Sequence, residues 1–195
     1  ENIIYKNYLK DISKQQQKLD SLQVTAIRNP KLDLKKSYKA ALLKINNAQQ
    51  AYLESTQKLY IYPFVKASFR VNPPELKTNV KEYMSAILDT FFDHIEFSNE
   101  TLINSSFLVD RITDYIFYIN YSEDETTQQS LYKSALETVF TKIEDSVFKK
   151  YIIEFLIGQF EEANNLEMID FLFENYYNTL PKSIQNDKFK TEKLK

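Results

Sequence analysis

The stretch YLKDISKQQQKLDSLQVTA at residues 8–26 and its echo LKKSYKAALLKINNAQQAY at residues 34–52 decide the fold. In the first, Tyr8, Ile12, Gln15, Leu19, Leu22 and Ala26 recur at alternating steps of four and three, the a/d seam of a coiled coil. The second repeats that seam with Leu34, Tyr38, Ala41, Ile45, Ala48 and Tyr52. Asn29-Pro30 breaks the first helix, and Asp33 is the expected N-cap of the next. Two helices of about 25 residues, each roughly 38 Å long, joined by so short a break, should fold back as an antiparallel hairpin. The same seam is also compatible with pairing between two chains.

Beyond the hairpin, Pro63 fits the first turn of a short helix ending near Phe69. Asn72-Pro73-Pro74 follows, and each residue before a proline is pushed out of the helical region. A boundary is expected there, with the hairpin and short helix in residues 1–72 and a helical bundle in 73–195, the two forming separate domains or one continuous one. Val80, Tyr83, Met84, Ile87, Leu88, Phe91 and Ile95 form one apolar stripe of a helix. After Ser105-Ser106, Leu108, Ile112, Tyr115, Ile116 and Ile119 mark another. Ser122-Glu123-Asp124-Glu125 has the form of a capping box opening a helix through Leu131, Ala135, Val139, Phe140 and Ile143. Asp145 and Asn165 are expected to cap two more, and Pro181 to open a polar last segment with Lys188, Lys190, Lys193 and Lys195. Gly158 lies inside a helix at a cost of about 1 kcal/mol relative to alanine, which a close helix crossing would justify. The fold class is therefore all-α, a long hairpin followed by a multi-helix bundle with solenoid-like helix pairs.

Composition agrees. Apolar residues are 43% and charged residues 27%, which suits a packed domain. One glycine and five prolines leave little turn chemistry for β-hairpins. The lack of cysteine excludes a disulfide, a thiolate nucleophile or a thiolate metal site within these residues. One glycine excludes a phosphate-cradling loop. No run approaches the ~20 apolar residues of a membrane span. The chain begins at Glu1 without a signal peptide, as a processed product or a piece of something longer would.

Charge is unevenly spread. Residues 1–60 hold eleven Lys/Arg against five Asp/Glu, and residues 61–195 hold fourteen against twenty-two. The dispersed lysines, with Arg28 the sole arginine among the first sixty residues, read as a solvated helix face and not a nucleic-acid surface. His94 with Asp93 and Glu96 lacks the i, i+3 or i, i+4 spacing of helical metal ligands, so it reads as a surface or helix-end histidine. Glu161-Glu162 and the run Glu123–Glu125 read as solvated or helix-end charge. No catalytic, cofactor-binding or metal-ligating residue is assigned. Phe92, Phe117, Tyr118 and Tyr177 are the candidate partner or interdomain contacts.

The segment Phe92-Asp93-His94-Ile95-Glu96-Phe97-Ser98, continued by Asn99-Glu100-Thr101-Leu102-Ile103-Asn104-Ser105-Ser106-Phe107-Leu108, resembles a stretch in the helical region of TlpA-type thiol–disulfide oxidoreductases of the Bacteroidetes group. Glu1-Asn2, Tyr5 and Tyr8-Leu9, the Asn29-Pro30 break and the Asn72-Pro73-Pro74 link resemble further parts of that region. One departure is Asn99-Glu100-Thr101, where the family often has Asp-Pro-Arg. The resemblance implies a non-catalytic helical domain of a cell-envelope oxidoreductase or isomerase, periplasmic or in the envelope. Its partners would be a thioredoxin-like domain of the same polypeptide, carrying the Cys-x-x-Cys pair outside this chain, and thiol-containing envelope proteins. The segment itself would be no enzyme and would need no cofactor. The alternative expectation is a free-standing helical scaffold that binds a peptide or helix.

Overall fold

A computed structural model describes residues 1–193, which form two compact units, Glu1–Glu96 and a second from Phe97 onward. Among the described residues the regular structure is entirely helical, as the apolar spacing predicts. No helix among them is long and apolar enough to cross a membrane.

The first unit is built on α1 (Asn2–Arg28) and α2 (Lys35–Thr56). The rings of Tyr8 and Tyr52 meet edge-on at 5.1 Å, pairing the start of α1 with the end of α2, so the hairpin is antiparallel. Tyr8, Ile12 and Leu19 of α1 and Tyr38 and Ile45 of α2 form its core. They are joined by Ile61 and by Val65 of α3 (Tyr62–Ala67), where Pro63 occupies the first turn. Two corrections apply to the seam. Gln23 and Gln49 are fully buried, whereas Gln15, Leu22 and Ala26 are only partly so; Gln23 is held against the segment after α3 by two hydrogen bonds to the Lys77 backbone. Leu34, not Asp33, holds the N-cap position of α2, and the Asp33 carboxylate instead accepts from the Lys35 N–H at 3.3 Å.

Asn79 caps α4 (Val80–Asp89), accepting from the Glu82 N–H. The expected stripe runs on to Ile95, but the helix stops at Asp89. The Thr90 hydroxyl donates to the Ala86 carbonyl, and tight turns then replace the helical ladder, with Asp93 N–H donating to Thr90 and Ile95 N–H to Phe92. The apolar residues of this turn segment, Phe92 and Ile95, are still buried. Burial without helical geometry gives a similar spacing over so short a run.

In the second unit Asn99 caps the short α5 (Glu100–Ile103), its side chain accepting from Thr101 and Leu102, so asparagine alone performs the capping. Ser105 caps α6 (Ser106–Thr113), which runs into a π-helical turn at Asp114–Ile119. Then come α7 (Glu125–Lys142), α8 (Ser146–Glu162), α9 (Leu166–Asn175), a 3₁₀ turn at Tyr177–Thr179 and α10 (Asp187–Lys193). Asp145 and Asn165 cap α8 and α9 as their positions predict. The cap of α7 is Asp124, whose carboxylate takes the Thr127 N–H at 2.8 Å. Ser122 lies too early in the chain for a capping box, and its N–H donates to Gln128 Oε1. Of the polar last segment, Lys195 lies outside the described residues, and Lys188 pairs with Glu192 and Lys193 with Glu161. Leu136, Val139, Ile152, Ile153, Leu156, Phe160, Met168 and Leu172 are fully buried and form the interior of the α7–α8–α9 layer.

Gly158 does not mark a close crossing. A Cβ built there would meet no atom within 4 Å, and its φ is negative. A methyl group therefore fits without a clash and reduces the entropy of the unfolded chain. Gly158→Ala should stabilise the protein by about 0.5–1 kcal/mol, read as a higher urea midpoint at unchanged slope.

Candidate functional site

The four aromatics singled out by sequence have different surroundings. Phe92 is buried and meets Phe91 edge-on at 4.9 Å. Phe117 joins Tyr132 and Phe160 in a triangle of rings whose centroids lie 5.1–5.7 Å apart. Tyr177 is fully buried between Phe173 and Phe189, and its hydroxyl accepts the Asn186 N–H at 2.8 Å. Tyr118 alone of the four presents an open ring, at 73% exposure, with Tyr121 nearby in sequence at 66%.

The π-helical turn explains that difference. It carries one more residue per hydrogen bond than the α-helix, so Tyr115 and Ile116 stay inward while Tyr118 swings out. Asn120 closes the turn. Its Nδ2 donates to the Tyr115 carbonyl at 2.7 Å, and its own carbonyl accepts from Gln128 Nε2 at 3.0 Å.

Among the described residues no group of three His, Cys, Asp or Glu side chains is placed to hold a metal ion. His94 is half-buried with its ring 4.5 Å from Phe69, and Glu96 is taken by Lys66. Burial holds the His94 imidazole below its ordinary value of 6.5, opposed by Asp93 and assisted by Lys66. Asp124 sits below the usual carboxylate range because the Thr127 hydroxyl and N–H bond it, which is capping and not acid–base chemistry.

The densest polar cluster was not visible in the sequence. Arg70 reaches Asp20 through both terminal nitrogens, at 3.1 and 3.2 Å, and also donates to the Tyr83 hydroxyl at 2.7 Å. Tyr83 donates in turn to Asp20 at 2.8 Å, and Gln16 Nε2 donates to both Asp20 and Asn72. Beside it Gln23 donates to the Lys77 carbonyl and accepts the Lys77 N–H, both at 2.9 Å. The Tyr38 hydroxyl donates to the Pro73 carbonyl at 2.8 Å. Most of these partners are far apart in the chain, up to 63 residues for Tyr83 and Asp20, and no local spacing announces them. The cluster has the chemistry of a fastening: the Arg70–Asp20 charge is paired, and apart from the buried Arg70 Nε–H, which has no partner, the donors named here meet a carboxylate, a phenol, a side-chain amide and backbone carbonyls.

On the hairpin's other flank lies an open groove of about 680 Å³, lined by Asp11, Lys14, Gln15, Lys18 and Leu22 of α1 and Ser37, Ala40, Ala41 and Lys44 of α2. No protein-family model matches the chain, and neither the curated proteins nor the solved structures contain a match to it.

Two pH responses follow. The His94 ring should titrate below 6.5 by NMR, and Phe69→Ala should move its midpoint back upward by exposing the imidazole. Burial pushes the phenols of Tyr38 and Tyr83 up to about 12, against 10.0 in an exposed tyrosine. The unfolded chain therefore releases these protons first. The stability they contribute is present in full below about pH 10 and is lost as pH rises through about 12. Circular dichroism during an alkaline titration should show the helical signal falling in that window, and Tyr83→Phe should blunt the loss.

Proposed function

We propose that this chain is a non-catalytic helical module of a cell-envelope thiol–disulfide oxidoreductase or isomerase, positioning a thioredoxin-fold domain that lies outside residues 1–195. The observation that carries the reading is the Phe92–Leu108 segment. The residues that bear the family resemblance are ones this fold relies on: Phe92, Ile95, Phe97, Leu102 and Leu108 are buried, and Asn99 caps α5. A cysteine-free chain is consistent with a supporting role, because in that family the reactive pair sits in the other domain. The parent would act in the periplasm or envelope on thiol-containing proteins.

A second reading, a free-standing interaction scaffold, draws on a different observation. The hairpin carries an open groove of helical length, and Tyr118 stands exposed on a π-helical turn.

Reading the coding sequence beyond Lys195 separates the two. A thioredoxin-like domain with Cys-x-x-Cys is expected on the first reading, and the longer polypeptide should reduce insulin disulfides while residues 1–195 alone should not. Absence of such a domain overturns that reading and leaves the scaffold.

A further inference from the structure

The hairpin has two unlike flanks. On one, Gln16, Asp20 and Gln23 of α1 and Tyr38 of α2 hold residues 70–77. On the other, Asp11, Gln15, Lys18 and Leu22 follow at steps of four, three and four along α1. Opposite them on α2 stand Ser37, Ala41 and Lys44, and the two rows enclose the groove. From Asp11 to Leu22 the trough runs about 16 Å, or three helical turns.

Two features specify its occupant. Lys14, Lys18 and Lys44 line it against the single carboxylate of Asp11, and none of the three is in a salt bridge among the described residues. Its floor is apolar and low: Leu22 and Ala41 pack on the hairpin core, and Ala40 and Ser37 stand beside them. Side chains this small let a third helix approach to the usual axial distance of about 8–10 Å.

We infer that this groove receives an amphipathic helix from a partner protein, with an apolar stripe flanked by Glu and Asp, completing a three-helix seam. The inference rests on the second reading above and narrows it to one surface and one partner chemistry. The trough is open along its length, whereas small-molecule sites enclose most of their ligand. It holds no arginine, and a phosphate backbone would leave Leu22 and Ala41 without an apolar partner. An acidic helix meets both demands, with its stripe on the floor and its carboxylates at the three lysines.

Fluorescence anisotropy with the full 195-residue chain tests this. The probe is a labelled helical peptide of about 18 residues with leucine at a and d and glutamate at the flanking positions. The control carries lysine in place of glutamate. The acidic peptide should bind saturably, and severalfold more weakly when salt rises from about 50 to about 500 mM. The combined variant Lys14→Glu/Lys18→Glu/Lys44→Glu should weaken it at least about tenfold, as should Ala40→Trp, which fills the trough. All four positions are exposed, so both variants should keep the parent's circular dichroism. Equal binding of the acidic and basic peptides overturns the inference, as does displacement of the acidic peptide by a duplex RNA at similar concentration. Acidic-peptide binding that both variants leave unchanged also overturns the groove, while the broader scaffold reading survives.

Discussion

Residues 69–79 have no helical ladder of their own, yet several of them are buried or half-buried. Backbone groups shielded from water cost roughly 1–3 kcal/mol each if left unpaired, so the hairpin must supply partners. It does so through side chains: Gln23 takes both polar groups of Lys77, and Tyr38 takes the Pro73 carbonyl. Arg70 is forked onto Asp20, a charge-assisted geometry that outweighs a neutral hydrogen bond. The start of α4 follows directly in sequence, so its position in the first unit is inherited from this fastening.

Tyrosine does a related job elsewhere. The chain has fourteen, and the buried ones combine a large apolar body with a hydroxyl that needs a partner. Tyr8 reaches the Val65 carbonyl, Tyr38 that of Pro73, and Tyr177 the Asn186 N–H. Each joins a helix or turn to a distant or non-helical piece of chain. An aromatic-rich composition thus serves cohesion in both units, with Tyr60, Tyr118, Tyr121 and Tyr151 the exceptions that face water.

Much of this was legible in the residues themselves. The four-three seam foretold two paired helices, and Asp145 and Asn165 announced two helix starts, because these signals act within a few residues. What failed was where a local pattern had two physical causes. Val80–Ile95 reads as one helix, but Phe92 and Ile95 are buried from turns. Gly158 suggests a crossing, but its surroundings are open. The π-helical turn and the Asp20–Arg70–Tyr83 cluster left no signal, since both depend on tertiary partners. The candidate aromatics divided for the same reason: spacing marks Phe92 and Phe117 as off the main stripe, and only packing reveals which rings are interior.

The fastening of residues 70–77 has one more consequence. Its anchors lie on both helices, with Gln16, Asp20 and Gln23 on one and Tyr38 on the other. A heptad slip of α2 along α1 would keep apolar residues meeting in the seam, but would carry Tyr38 about 10 Å from its acceptor. Many coiled coils fix their alignment with a polar residue inside the seam. Here a strap of non-helical chain laid across both helices measures their alignment from outside, and only one setting satisfies every tie.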